Sequence, residues 1–528
     1  MASTSVAAHG RKIAQSTGIV MASVLLSRVL GFARDWTVAH QVGSNGATDA
    51  FNAAFTLPDF LNYLVAAGSL SVTFIPVFSK YLAEENEEEG WRVFSIVVAV
   101  MGVVVAALVL LGEVFAPQLA TAIAPGFHPA ERAQLIYLTR LMLPAQFCFY
   151  MGGILSAVQY AKGQFIVPSL APLVYNAGII AGGWLLFSRM GITGFSVGVL
   201  GGAIVGNFLL QVYGAKRVGA RFFPSFNFRH PGFILFVKLA IPIMLALSLS
   251  ITDDWIIRWF GSHLRDGSIT WLTYAKNLMR VPLGVVGQAI GVASFPVLAQ
   301  LYSEKRFDDL NEILNTTMKG LIVFLIPVAA LTMAQSVPLV HLLYSHSKMH
   351  EADLLATAAA LVWFSAGMFA WGAQNIVARG FYATHDTITP AVVGTVLTVA
   401  TIPVYWLLVQ RLQHVGLAMA SSIGITVLML VLFALLVRRT KDRGTVPLLT
   451  FFAKVTLASI VAGFASRWFV NWLGQHLSWH TTLGAFVDLC AATSLGALLM
   501  LALARLMGIH EVTGYMKRAS ARIARAFT

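Results

Sequence analysis

Apolar runs of about 20 residues, divided by short polar breaks, recur from one end of the chain to the other. A helix rises 1.5 Å per residue, so about 20 residues cross a hydrocarbon core of roughly 30 Å. The pattern predicts about 14 transmembrane helices, at 14–39, 49–80, 91–115, 134–160, 166–187, 193–214, 233–260, 269–302, 316–336, 354–379, 388–409, 415–438, 450–473 and 483–507. The expected fold class is therefore an all-α polytopic membrane protein. The polar start, Met1 to Gly10, leads into Arg11, Lys12 and an apolar stretch without a small-residue cleavage site, which reads as a retained first helix.

Composition agrees with the pattern. Of 528 residues, 57% are hydrophobic and 11% charged, against about 25% charged in soluble domains. The net charge of +13 raises nucleic acid as a partner, but its distribution removes the need for one. With a cytoplasmic amino terminus, the inner connections hold Lys80, Arg92, Lys162, Lys216, Arg217, Arg221, Arg229, Lys305, Arg306, Arg438, Arg439, Lys441 and Arg443. The tail adds Lys517, Arg518, Arg522 and Arg525, while the opposite loops show only Arg132, Arg189, Arg265, Lys348 and Arg411. That is the positive-inside distribution, and it puts both termini in the cytoplasm. The acidic run from Glu84 to Glu89 reads as a solvated loop. The two cysteines, Cys148 and Cys490, fall in apolar runs, and His341, His346 and His350 read as polar loop residues, so no metal set is expected.

Two pairs of segments echo each other. FIPVFSKYLAEE (Pro76) matches SFPVLAQLYSEK (Pro296), and GGILSAVQYAKGQFIVP (Pro168) matches GAQNIVARGFYATHDTITP (Pro390). The spacings are nearly equal, which indicates duplication. Six helices separate equivalent points, so both copies share one orientation, an arrangement found in transporters. The expected organisation is an amino-terminal six-helix lobe (1–222), a second six-helix lobe (223–444), and two accessory helices with a basic tail (445–528).

A charge at the centre of a membrane helix costs about 2.5–3.5 kcal/mol on insertion scales, yet several are present. The first helix carries Arg28, Arg34 and Asp35; the second, Asp49 and Asp59; the seventh, Asp253, Asp254 and Arg258; the eighth, Lys276 and Arg280, four apart on one face. Cations in both halves need an anion between them; neighbouring Asp residues could serve, and so could a phosphate or pyrophosphate, which suits the paired donors of arginine. Arg28, Arg34, Lys276 and Arg280 are the candidate substrate-binding residues. Asp253 and Asp254 are the candidates for Na⁺ or H⁺ coupling; no other cofactor is expected.

SRVLGFARD (Ser27 to Asp35) followed by TDAFNAAFTLP (Thr48 to Pro58) resembles the amino-terminal signature of the MurJ/MviN lipid II flippases. LAPLVYNAG (Leu170 to Gly178), GSITWLTYAKNLMRVPLGVVG (Gly267 to Gly287) and RGFYATHDTITP (Arg379 to Pro390) extend the likeness over the whole chain. The family belongs to the multidrug/oligosaccharidyl-lipid/polysaccharide exporter superfamily. The resemblance implies two six-helix lobes, a groove-lining carboxyl-terminal pair, and transfer of undecaprenyl-pyrophosphate-linked peptidoglycan precursor to the outer leaflet. It implies a bacterial inner-membrane location, with membrane lipids and the cell-wall synthesis machinery as partner classes. Family-important positions that match are Ser27, Arg28, Arg34, Asp35 and Asp49, with Ser27, Asp35 and Asp49 supporting or gating. The chain departs from the pattern at Asn62, where an arginine is usual, and at Ala67, which replaces an acid. An Asp-Arg pair becomes Lys276 and Asn277, and a following acid becomes Arg280. Asn62 and Asn277 therefore join the candidate cavity.

Two other transport readings compete: a flippase for another polyprenyl-linked glycan, and a cation-coupled multidrug antiporter of the same superfamily. A drug antiporter calls for an acid-rich cavity, which the cations here disfavour. An enzyme such as a glycosyltransferase needs paired carboxylates or a metal in a sizeable aqueous loop, and no connection is long enough to build one.

Overall fold

The computed structural model describes residues 2–66, 69–248, 252–384, 386–442, 444–474 and 481–509. Ala67, Arg443 and the basic tail lie outside the described residues. The chain divides into two compact units, Met1–Thr270 and Trp271–Thr528.

The first unit opens with α1 (Ala2–Gln41), then α2 (Gly46–Ala54), α3 (Thr56–Leu61), α4 (Ser69–Ala83) and α5 (Glu87–Ile123). It continues with α6 (Pro129–Met142), α7 (Ala145–Ala161), α8 (Ile166–Met190), α9 (Thr193–Gly202), α10 (Leu210–Arg217), α11 (Pro231–Ser248) and α12 (Thr252–Gly261). Helix α13 (Ser268–Ser303) starts at its last residues and runs on into the second unit, which holds α14 (Phe307–Ala334), α15 (Ser336–Tyr344), α16 (Glu351–Ala366), α17 (Met368–Ala383), α18 (Ile388–Thr440), α19 (Thr445–Leu473) and α20 (Thr482–Leu506). Among the described residues every predicted apolar stretch is mainly helical and no strand occurs. Among the described residues eight helical segments are long and apolar enough to cross a membrane, nine if α16 and α17, bent by 40°, count as one.

One predicted span takes a form that periodicity does not show. The stretch 49–80 is broken: α2 and α3 meet at Phe55, and a π-turn over Asn62–Ala66 precedes α4. Asn45 starts α2 by accepting from the Ala47 and Thr48 amides at 3.0 and 3.2 Å, while its own amide donates to Thr48 Oγ1 at 2.8 Å. This reciprocal cap fixes where the helix begins. Conversely, α18 comprises two helices joined by a sharp break, which falls between the predicted spans 388–409 and 415–438. It reverses at Gln413 (φ 53°, ψ −133°), a backbone setting usually left to glycine. The close return depends on Gly416, where a Cβ would stand 2.2 Å from the Leu408 carbonyl oxygen.

Close packing of small residues joins α8 to α9. A Cβ on Gly182 would lie 2.6 Å from the Gly194 oxygen and from Gly198 Cα, so the two backbones touch directly, as in membrane helix pairs built on glycine. In the second unit α19 and α20 pack on each other, Ser466 Oγ donating to the Ala492 carbonyl at 3.1 Å.

The duplicated segments carry duplicated turns. The amides of Glu84, Glu85 and Asn86 donate to the carbonyls of Lys80, Leu82 and Tyr81; those of Glu304, Lys305 and Arg306 donate to Gln300, Tyr302 and Leu301. Each partner is displaced by 220 positions, and the central residues, Glu85 (φ 56°) and Lys305 (φ 58°), are both left-handed. A second pair is displaced by 222. Lys162 and Gln164 donate to Val158 and Gln159, as Thr384 and Asp386 donate to Gly380 and Phe381. The amides of His128 and His350, also 222 apart, donate to Glu131 (3.1 Å) and Asp353 (2.9 Å) at the starts of α6 and α16.

Candidate functional site

In the first unit the charges gather where α1 packs against α8. Ser23, Ser27 and Gly31 recur every four residues and so share a face of α1; Ser23 Oγ donates to the Ser169 carbonyl of α8. Ser27 is half-buried. Arg34 Nε and Nη2 donate to Asp35 Oδ1 at 3.0 and 2.8 Å, and Nη1 reaches Asn176 Oδ1 of α8 at 3.5 Å. Tyr175 and Asp59 lie within Coulombic reach of the same guanidinium. A guanidinium carries five donors, so two remain open among the described residues. The Arg34 side chain is a quarter exposed: it is neither solvated nor sealed. Arg28 is half-buried, and its Nε is fully covered without a hydrogen-bond partner among the described residues. An open donor of this kind costs free energy unless a ligand satisfies it.

Asp49 does something else. Only 2% exposed, it accepts from the Gly267 amide through Oδ2 (2.8 Å) and from the Thr270 amide and hydroxyl through Oδ1 (2.8 and 2.6 Å). Asn52 adds a bond to Thr270 Oγ1 at 3.2 Å. The carboxylate therefore clamps the approach to α13. Asn62 is half-buried at the start of the π-turn. Asp253 and Asp254 are half-buried in the first turn of α12, and Arg258, one turn on, donates to Thr56 Oγ1 at 2.7 Å.

In the second unit Lys276 is 4% exposed, and its Nζ lies 5.2 Å from the Trp371 ring centre and 5.8 Å from that of Phe364. Two aromatic faces hold the ammonium in a water-poor place. Asn277 and Arg280 follow it, half-buried. Lys276→Arg keeps a cation over both rings and is expected to retain complementation within about three-fold. Lys276→Asp sets a carboxylate against two negative ring faces and is expected to lose about ten-fold or more. Equal growth of the two variants in a strain depleted of the native protein would show that the rings do not matter.

The RGFYATHDTITP motif (Arg379 to Pro390) contains a helix start. Asp386 accepts from the Thr389 amide (2.9 Å) and hydroxyl (2.8 Å) in the first turn of α18, and pairs with Arg439. Burial raises its pKa, but the Thr389 bonds and Arg439 outweigh this and hold the carboxyl below its ordinary value. The acidic run is likewise engaged: Glu87 pairs with Lys162, Glu88 with Arg92 and Glu89 with His230. His350 sits at the start of α16, and His341 is buried on α15. Asn176, Tyr175, Phe364 and Trp371 belong to the two charged stations although, lacking charge, they give no signal in an apolar run.

Comparison with known proteins agrees with these features. The family model described as lipid II flippase MurJ matches residues 38–483, beginning just past the Ser27–Asp35 motif. A probable lipid II flippase MurJ from Haemophilus influenzae is 28% identical over 475 residues, covering 85% of this chain and 91% of the relative. The lipid II flippase MurJ of Burkholderia cenocepacia is 26% identical over 489 residues, covering 90% and 94%. Among solved structures, a lipid II flippase MurJ in an inward closed conformation superposes with a TM-score of 0.76 at 21% identity, over 93% of this chain and 99% of that one. An inward-facing MATE-family multidrug resistance transporter of the MOP superfamily superposes at 0.64 with 16% identity, over 79% and 94%. The structural likenesses speak for the fold, and the family match over most of the length speaks for descent: the chain belongs to the MurJ family of lipid II flippases.

Proposed function

We propose that the chain moves lipid II from the inner to the outer leaflet of the bacterial cytoplasmic membrane by alternating access. It is a transporter, not an enzyme, and its substrate is an undecaprenyl-pyrophosphate-linked peptidoglycan precursor. The observation that carries the reading is the α1 station: Arg34, with two open donors, and Arg28, with a covered and unpartnered Nε. Arginine forks match phosphate oxygens, and a pyrophosphate arriving with the cargo would satisfy them. Lys276 and Arg280 are assigned the same task in the second lobe, with Asn62 and Asn277 as polar lining. Asp35 holds Arg34 in place between cargoes. Asp253 and Asp254 are the coupling candidates for Na⁺ or H⁺.

The duplicated turns support two equivalent lobes, 1–222 and 223–444, followed by an accessory pair in 445–528. The lysines and arginines of the inner connections support cytoplasmic termini. The cell-wall synthesis machinery is the partner class that would supply the precursor on one side and consume it on the other.

Proteoliposomes holding the purified chain and headgroup-labelled lipid II test the function. Protein-dependent transfer of the label between leaflets is expected. Failure of transfer, together with uptake of a cationic drug against a Na⁺ or H⁺ gradient, would replace the flippase by the antiporter of the same superfamily.

A further inference from the structure

The connection between α10 and α11 has the wrong surface for an aqueous loop. Residues 218–230 are non-helical, yet Phe222, Phe223, Phe226 and Phe228 are 51%, 43%, 56% and 60% exposed. The segment is not loosely held. The Phe223 amide donates to Ser95 Oγ at 2.9 Å, and His230 Nε2 meets Glu89 Oε1 at 2.8 Å. Its backbone is thus fixed against the start of α5 while its aromatic rings are turned outward.

Charge follows the same plan. Lys216, Arg217, Arg221 and Arg229 are exposed, no acid occurs between 213 and 230, and among the described residues none of the four forms a close salt bridge, although Arg221 lies within Coulombic reach of Glu87. Arg217 instead lies over the Tyr213 ring at 4.9 Å. Non-helical backbone cannot enter the hydrocarbon core, where its amides would go unsatisfied. Phenylalanines beside cations, at the end of a membrane helix, suit the boundary between headgroups and acyl chains. There each lysine or arginine gains from anionic headgroups.

We propose that the 216–230 segment is an interfacial strap that docks on anionic phospholipids of the cytoplasmic leaflet, its phenylalanines at the acyl boundary and its cations on the phosphates. The assignment of leaflet rests on the orientation argued above. The strap ties the surface of the first unit to its own bilayer, a binding function separate from cargo recognition.

The full-length chain tests this with a spin label at Phe226→Cys in a Cys490→Ser background, reconstituted into phosphatidylcholine alone or mixed with phosphatidylglycerol. In the mixture, collisions with oxygen are expected to dominate those with a water-soluble nickel chelate, and the ratio is expected to fall several-fold in phosphatidylcholine. Arg221→Gln and Arg229→Gln should each weaken the insertion equilibrium about five-fold. A water-exposed label in the mixture would overturn the proposal, as would equal depth in both membranes. Insertion that appears only after lipid II is added would also overturn it, making the segment a substrate contact. Modification of Asn227→Cys by an impermeant maleimide from outside intact cells would refute the orientation, a failure read apart from label depth.

Discussion

Arg34→Gln is expected to abolish growth support in a flippase-depleted strain and to cut lipid II transfer in proteoliposomes by about ten- to hundred-fold, with protein level unchanged. The Ser23–Ser169 contact of α1 with α8 is untouched, so the packing survives, but the open donors and the positive charge are gone. The remaining Asp35 then presents an uncompensated carboxylate to an anionic cargo. Arg34→Lys should fall between, because an ammonium keeps the charge without the planar fork. Flipping by Arg34→Gln at the parental rate would end the proposal that α1 receives the pyrophosphate.

Asp49→Ala should fail in a different way. The substitution removes one buried carboxylate and leaves two amides and a hydroxyl without their acceptor. Charged-acceptor bonds contribute about 1.5–3 kcal/mol each and do not simply add, so a loss of about 3–5 kcal/mol is expected. For a unit of this size that lowers Tm by about 10 °C. Asp49→Asn keeps one carbonyl oxygen and should lose about half as much. Thermal unfolding of the detergent-solubilised chain reads the difference, and membrane level should fall with it. An Asp49→Ala protein that melts normally yet does not transport would make Asp49 a cargo or gating residue and not a clamp.

These two positions also show what the chain makes legible. Arg34 was visible as a cation inside an apolar run, because only a specific partner or ligand offsets that cost. Asp49 was visible as an acid at a membrane edge, but nothing near it announces that Gly267 and Thr270 supply its donors. Helix positions followed from apolar length, and the paired turns around Glu85 and Lys305 could be anticipated from the repeated sequence. The break in the second stretch could not, because an apolar run has the same composition whether straight or interrupted by a π-turn. The Phe364–Trp371 seat of Lys276 was hidden for a related reason. Aromatic residues facing a cation and those facing lipid look alike in sequence.

The reversal at Gln413 has a practical consequence. Where most membrane proteins join neighbouring spans by a loop that can be cut, tagged or recognised, this chain turns back on one exposed residue held by Gly416. It offers antibodies no epitope and proteases no slack at that point. Reporter insertions for topology mapping are better placed in the exposed turn at Glu85, away from a hairpin tip that has no spare backbone.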